Sequence, residues 1–300
     1  MKVTAPTFTS EAIAEKSAFA VFSELVKARL TVLVLLTTLV GFSAASRWTV
    51  DYWKMFHALA GTAFLAAGAA ALNQLLERRW DALMLRTQER PLPSGRLQPD
   101  TVLIFGGLCS AAGLAYLALA VNPITAFLGA ATLISYLFVY TPLKRFTPLN
   151  TVVGAVSGAL PPLMGWTAAR GEITVGGWSL FALQFFWQLP HFLAIAWLYR
   201  EDYARAGFKM LPFFDPTGHR TGLHVVNHSL GLLTVSLAPF VCGVAGPAYL
   251  GGALVLGVGF LVMAILFARS LAQSDARRLF FASIIYLPLV LGLLVWDKAR

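Results

Sequence analysis

Charged residues are scarce in this chain. Asp, Glu, Lys and Arg make up only 12% of its 300 residues, while 58% of the residues are hydrophobic and the mean hydropathy is +0.71. A soluble domain carries about 25% charged residues, so this composition excludes that class and predicts a polytopic membrane protein. The net charge is +9. In a membrane protein such a balance usually lies on cytoplasmic loops, and we therefore expect no nucleic-acid partner.

Cysteine is almost absent. Cys109 and Cys242 are the only two, and each lies in an apolar run, which excludes a disulfide framework and a cysteine metal site. The first 27 residues contain Glu11, Glu15 and Glu24 but no arginine. This pattern argues against a cleaved signal peptide and a mitochondrial transit peptide. We expect the first apolar helix to act as an uncleaved insertion signal.

Long apolar runs dominate the remainder. With about 20 apolar residues per span, the sequence predicts an all-α polytopic membrane protein with about nine transmembrane helices in one bundle. The predicted helices are 28–46, 54–77, 101–121, 123–142, 149–168, 177–198, 224–246, 249–269 and 278–296. Short connections predict one domain over 28–300, preceded by a cytoplasmic segment over 1–27. Clusters of Gly and Ala near 61–70 and 154–159 predict close helix packing.

The distribution of basic residues predicts the orientation. With the N-terminus in the cytoplasm, most of the 23 Lys and Arg residues fall on inner loops. Only Arg47, Lys54, Arg170, Lys298 and Arg300 fall on the outer side. This asymmetry predicts an odd number of helices, a cytoplasmic N-terminus and an external C-terminus.

One inner segment, residues 73–96, combines acids, bases and turn residues. Asn73, Glu77 and Asp81 are spaced i, i+4, i+8, so on a helix they lie within about 80° of one another and span about 12 Å. Arginines and a Pro-rich turn follow them. Acids beside a membrane are costly, so we prefer a functional site to a purely interfacial loop.

A second inner segment, residues 197–215, has a similar pattern of acids and bases after an apolar helix. The two segments lie four predicted helices apart, and this even offset suggests a parallel repeat. Such a repeat would place both segments on one face of the membrane. We therefore predict that the two loops converge on one ligand.

The residue types at these loops suit a metal-bound diphosphate. Mg²⁺ prefers carboxylates, waters and phosphate oxygens, and the predicted oxygen ligands are Asn73, Glu77, Asp81 and Asp202. Lys and Arg would neutralise the remaining charge. The predicted diphosphate-binding residues are Arg78, Arg86, Arg90, Lys144, Arg145 and Lys209. Taken singly, each base has an ordinary structural explanation, and Arg200 or Lys209 alone is more typical of an interfacial anchor; their combination on one face favours a site.

A polar stripe is predicted within the sixth helix. Gln184, Gln188 and His191 are spaced i, i+4, i+7, which places them on one inward face. A polar residue at depth tends to face a cavity. His191, with Gln188, is therefore a candidate haem or substrate contact, and a hydrogen-bonded core histidine is an equal alternative.

Three stretches resemble the protohaem IX farnesyltransferases (haem O synthases) of the UbiA-type superfamily of intramembrane prenyltransferases. They are NQLLERRWDALMLRTQERPLPSGRL, YTPLKRFTPLNTVVGAVSGALPPLMGW and WQLPHFLAIAWLYREDYARAGFKMLP. The resemblance runs from about residue 25 to the C-terminus. It implies a nine-helix bundle that transfers farnesyl from farnesyl diphosphate to a haem B vinyl group with Mg²⁺, giving haem O and pyrophosphate. It also implies a bacterial inner-membrane location and, as partners, haem A synthase and terminal oxidase assembly proteins.

The resemblance also implies residue roles. Asn73, Glu77 and Asp81 match the first polar motif of the superfamily, and Tyr199 and Asp202 match the position of the second. The chain departs from the superfamily in having a single aspartate, Asp202, where most members have several. This departure leaves the number of metal ligands open.

Three other functions compete with this interpretation. A prenyltransferase could act on a quinone or chlorophyll precursor. A secondary transporter would place ionisable groups near the midplane, whereas here they lie at one face. A haem carrier would not need Asn73, Glu77 and Asp81.

Overall fold

The computed structural model describes residues 17–46 and 49–299. Within these ranges, nine helical spans are long and apolar enough to cross a membrane, which confirms the predicted number. The helices of the described chain are α1 (Ala18–Leu25), α2 (Ala28–Ala45), α3 (Tyr52–Asp81), α4 (Pro99–Ala120), α5 (Pro123–Ile134), α6 (Thr141–Leu143), α7 (Asn150–Arg170), α8 (Val175–Leu198), α9 (Arg200–Arg205), α10 (His219–Ser236), α11 (Ala238–Val241), α12 (Pro247–Ser270) and α13 (Gln273–Trp296).

Some spans combine more than one of these helices. A π-helix, Ser135–Tyr140, joins α5 to α6, and the three form one span over Pro123–Leu143. α10 and α11 together form the span His219–Val241. A short 3₁₀-helix, Leu211–Phe214, follows α9. The residues before α1, 1–16, lie outside the described chain, so the predicted 1–27 segment is seen only from Ser17 onward.

Several helices continue beyond their apolar spans. α3 ends at Asp81, four residues past its predicted end, and Arg78 and Arg79 lie in its last turn, where basic side chains favour a helix C-terminus. α13 begins five residues earlier than predicted, with Asp275 in its first turn. Hydropathy marks where a helix enters lipid, while capping and charge determine where the helix ends. Glu77 and Asp81 are consequently helical residues.

Small residues bring α2 and α7 into close contact, as they do α3 and α4. A Cβ atom at Gly41 would overlap the carbonyl of Pro162, and one at Gly165 would overlap the carbonyl of Thr38. Between α3 and α4, a Cβ at Gly113 would lie 2.7 Å from the backbone nitrogen of Leu65. Within the predicted clusters, a Cβ at Gly68 would lie 2.7 Å from the backbone nitrogen of Ser110 and one at Gly158 would overlap the Gln188 amide, which confirms close helix packing there.

The bundle has one dominant apolar core. α8, α10, α12 and α13 surround it, and Tyr249, Phe267 and Leu232 are completely buried there. Tyr249 satisfies its hydroxyl by donating to the carbonyl of Ser236 at 2.7 Å. The charged functional candidates lie elsewhere, where the C-terminal ends of α3, α6 and α8 meet the N-terminal end of α2. We call this the polar end of the bundle.

Candidate functional site at the polar end

Asn73, Glu77 and Asp81 form a buried column along the last turns of α3. Their exposures are 1%, 5% and 1%. Each of the three side chains pairs through one oxygen with a different basic side chain. Asn73 Oδ1 accepts from Lys27 Nζ at 2.9 Å, and Glu77 Oε1 accepts from Lys144 Nζ at 2.7 Å. Asp81 Oδ2 accepts from Arg90 Nη1 at 2.8 Å. The column therefore pairs three side chains that could supply oxygen ligands to a metal with three basic side chains.

Lys27 is the residue of this column that sequence reasoning missed. It has a left-handed backbone (φ +49°), and Gln74 Nε2 donates to the carbonyls of Glu24 and Leu25, which holds this turn against α3. In the sequence Lys27 is an ordinary basic residue before an apolar helix, which is the pattern of an interfacial anchor. The neighbouring sequence contains no signal that predicts its contact with Asn73, 46 residues away.

The two lysines of the column respond oppositely to their surroundings. Desolvation of the Lys27 ammonium, reinforced by the charge of Arg90, lowers the pKa of Lys27 to about 7. Burial is also the largest single effect on Lys144 and acts to lower its pKa, but Glu77, Tyr140 and Tyr136 together outweigh burial and raise the pKa of Lys144 above its usual value. Lys144 is therefore a permanent cation at this site.

One oxygen of the column fits a bound cation. Asp81 Oδ1 is buried and has no hydrogen-bond partner, because Arg90 contacts only Oδ2. A buried carboxylate oxygen without a partner is costly. The described residues contain no cluster of three or more His, Cys, Asp or Glu side chains that could hold a metal by themselves. A metal here would need waters or substrate oxygens as further ligands, as Mg²⁺ usually does.

The two loops meet at Arg86 and Asp202, so they lie at the same end of the bundle, and their shared ligand stays a prediction. The backbone nitrogen of Arg86 lies 3.4 Å from Asp202 Oδ2, and its guanidinium donates to the hydroxyl of Tyr203 at 3.3 Å. The same guanidinium lies 5.2 Å from the ring centre of Tyr199. Asp202 also accepts from Arg205 at 3.0 Å. In the described chain, Asp202 is hydrogen-bonded to Arg86 and Arg205 of the two loops and not to the α3 column.

The remaining predicted bases have other contacts. Arg78 donates to the carbonyl of Leu75, one turn back on its own helix. The guanidinium of Arg145 lies 4.3 Å from the Trp80 ring, and the ammonium of Lys209 lies 3.8 Å from the Phe213 ring. The backbone nitrogen of Lys209 donates to the carbonyl of Lys144 at 2.6 Å, which links the two basic loops.

The predicted polar stripe on α8 meets two different neighbouring helices. Gln188 faces α7, where its amide donates to the carbonyl of Ala155 at 3.2 Å. His191 faces α13, where its Nδ1 lies 2.7 Å from the hydroxyl of Ser283. The His191 ring is stacked between Trp187 and Phe280, at 4.9 and 5.1 Å between ring centres. A rotation of about 60° separates residues i and i+3, which is enough to direct them to different neighbours.

Comparison with known proteins establishes the family of the chain. The model of the UbiA prenyltransferase family matches residues 34–285, and the chain belongs to that family. It is 46% identical over 286 residues to the protoheme IX farnesyltransferase of Solibacter usitatus, with 92% of this chain and 98% of that protein covered.

Two solved structures share the fold. A digeranylgeranylglyceryl phosphate synthase superposes with a TM-score of 0.79 at 16% identity, covering 93% of this chain and 98% of the other. A UbiA homologue from Archaeoglobus fulgidus, solved with GPP and Mg²⁺ bound, superposes with a TM-score of 0.67 at 18% identity, covering 91% of this chain and 99% of the other. At these identities the superpositions establish the fold alone.

Proposed function

We propose that the chain transfers the farnesyl group of farnesyl diphosphate to a vinyl group of haem B, with addition of water, to give haem O and pyrophosphate. The observation that carries the proposal is the column of three cation–oxygen pairs at one end of an apolar bundle. Such a site suits a charged head with a long apolar tail. The likeness to the protoheme IX farnesyltransferase of Solibacter usitatus supports haem as the acceptor.

The positive side chains of the column would bind the diphosphate. Lys27, Lys144 and Arg90 already gather there, and Arg86 lies on the adjoining loop. Asn73, Glu77, Asp81 and Asp202 would hold Mg²⁺, which when bound neutralises charge on the leaving group. The unpaired oxygen of Asp81 supports this assignment. Preorganised charges of this kind stabilise a leaving group without having to rearrange during the reaction.

The reaction would then proceed in three steps. The allylic C–O bond breaks, and its electron pair leaves with pyrophosphate. The π electrons of the haem vinyl group form a bond to the farnesyl cation, and a water molecule adds to the resulting cation and loses a proton. The apolar helices would keep water from the farnesyl cation until the vinyl group has reacted. Tyr199, whose ring lies beside the Arg86 guanidinium, stays a predicted catalytic residue.

The test is an assay in membranes containing the chain, with haem B, farnesyl diphosphate and Mg²⁺, followed by mass analysis of the extracted haem. We expect a Mg²⁺-dependent haem that carries the hydroxyethylfarnesyl group. Prenylation of an added quinone precursor without any haem product would contradict the proposal and favour the alternative acceptor. If neither product forms, the haem-carrier and transporter hypotheses would be favoured instead.

We also propose the setting of this activity. The chain would lie in a bacterial inner membrane with the polar end toward the cytoplasm, and haem A synthase and oxidase assembly proteins would receive its product. Reaction of the polar end with a membrane-impermeant amine reagent in intact cells would contradict this orientation. Bacterial relatives and the excess of Lys and Arg at one end support it.

A further inference from the structure

A cleft opens on the side of the bundle between the end of α3 and the π-helix. Leu76 and Trp80 line one wall, Leu137 and Phe138 line the other, and the cleft holds about 250 Å³. Leu76 and Phe138 are 42% and 67% exposed on the outer surface of the bundle. Glu77 also lines the cleft, which therefore leads from the apolar surface to the α3 column.

The π-helix forms one wall of this cleft and connects it to the column. The hydroxyl of Thr141, directly after the π-helix, donates to the carbonyl of Tyr136 at 2.8 Å. The same hydroxyl accepts from Asn73 Nδ2 at 3.0 Å. π-Helical turns are rare and occur frequently at functional sites. Here the turn places an apolar wall beside the first polar residue of the column.

Arg145 gives the cleft a positive charge. Its guanidinium lies 4.3 Å from the Trp80 ring and 5.5 Å from the Phe146 ring. Its neighbour Lys144 is paired with Glu77, but within residues 17–46 and 49–299 no ion pair is formed by Arg145. An arginine that stacks on aromatic rings keeps its N–H donors available for a carboxylate.

Resting on the proposed function, we propose that this cleft binds the edge of the haem acceptor, with Arg145 pairing with a propionate. A haem is a flat apolar ring, and each of its side edges carries one vinyl group and one propionate on neighbouring pyrroles. The edge whose propionate pairs with Arg145 therefore also brings a vinyl group to the cleft that Glu77 lines. Pockets that enclose a whole ligand hold about 300–1,000 Å³. The cleft is smaller, so it takes only part of the ring, and the rest stays against the apolar surface. The farnesyl chain carries no carboxylate for Arg145 to bind.

The test separates the acceptor from the donor. The purified protein is first titrated with haem B alone, with the Soret band as the readout, and KM is then measured for each substrate. We expect Arg145→Gln to weaken haem binding about tenfold and to leave KM for farnesyl diphosphate within about twofold. Arg145→Lys, which keeps the charge, should recover part of the loss. Leu76→Trp should block the cleft, whereas Leu103→Trp, an equally large change on the exposed face of α4, should not.

Each outcome decides a different point. Wild-type haem affinity in both Arg145→Gln and Leu76→Trp would overturn the proposal that the cleft binds haem. A raised KM for farnesyl diphosphate alone would assign Arg145 to the diphosphate instead. A wild-type protein that binds haem but makes no prenylated haem would refute the proposed function. The haem affinities of the Arg145→Gln and Leu76→Trp variants would then still decide whether the cleft binds haem. A wild-type protein that does not bind haem would overturn both.

Discussion

The two loops at the polar end contain similar residue types but arrange them differently. In the first, Glu77 and Asp81 are buried and each is paired with a cation from a distant part of the chain or from the following turn. In the second, Asp202 pairs with the half-exposed Arg205 of the same short helix, and Lys209 rests on an aromatic ring. Buried charges require partners, whereas hydrated charges do not. The first segment is therefore a preformed charge site, and the second packs against it where Phe208 and Met210 share an apolar cluster with Met84.

The largest effect is expected at Glu77. Glu77→Gln removes the charge that holds Lys144 and a proposed metal ligand, and we expect turnover to fall by about 10²–10³-fold, as when one preorganised electrostatic contact is lost. The measurement is the rate of haem product formation, with Glu201→Gln on the exposed face of the second loop as the matched control. Wild-type turnover in Glu77→Gln would remove the distinction between the two loops.

A smaller effect is expected at Lys27. Lys27→Met should raise KM for farnesyl diphosphate by about 10- to 100-fold, because charged hydrogen bonds contribute about 1.5–3 kcal/mol. Lys54→Met, at the opposite end of α3, is the control for loss of a lysine. An unchanged KM in Lys27→Met, with the control also unchanged, would mean that Lys27 only anchors the turn between α1 and α2.

A substitution at Asp202 tests whether the second loop, residues 197–215, also takes part in the chemistry. Asp202→Asn keeps the shape and one acceptor for the backbone nitrogen of Arg86, so we expect a loss of only about tenfold in kcat/KM. The Mg²⁺ concentration for half-maximal activity should rise if Asp202 is a ligand. A loss as large as that of Glu77→Gln would show that the two loops contribute equally.

His191 should respond differently from both loops. Because its ring is stacked between two aromatic rings and bonded to Ser283, His191→Ala should lower the free energy of unfolding by about 2 kcal/mol. Its haem affinity, measured by Soret titration, should stay close to that of the wild type. A selective loss of haem binding with unchanged stability would instead make His191 a haem contact.

The smallest effect concerns Asp215, a second-loop acid that caps α10. Burial opposes its ionisation, but hydrogen bonds from Thr221 outweigh burial and hold the pKa of Asp215 below its usual value. Its stabilisation is therefore full above pH of about 5 and is lost as the pH falls through about 4 and below. We expect Asp215→Asn to cost about 1 kcal/mol at neutral pH and progressively less in acid. Thermal unfolding of both proteins across pH measures this, and a pH-independent difference would contradict it.

Hydropathy alone predicts the nine spans, because about 20 apolar residues have few alternatives to a membrane helix. The i, i+4, i+8 spacing likewise places Asn73, Glu77 and Asp81 on one face of α3, since helix geometry is local. The ends of α3 and α13 are less predictable, because capping and dipole effects extend a helix beyond its apolar segment. The three motif stretches by themselves are enough to identify the family, because their resemblance to it does not depend on any tertiary contact.

Only the tertiary structure determined which charges meet. Lys27 contacts Asn73 and Lys144 contacts Glu77 across 46 and 67 residues, and such pairings depend on how helices pack. The same holds for His191, whose direction toward α13 follows from the rotation of α8 in the bundle. Sequence periodicity specifies which residues share a face of a helix. The neighbour that each face meets is set by the packing of all the helices together, because side-chain shape and small-residue contacts fix their rotations.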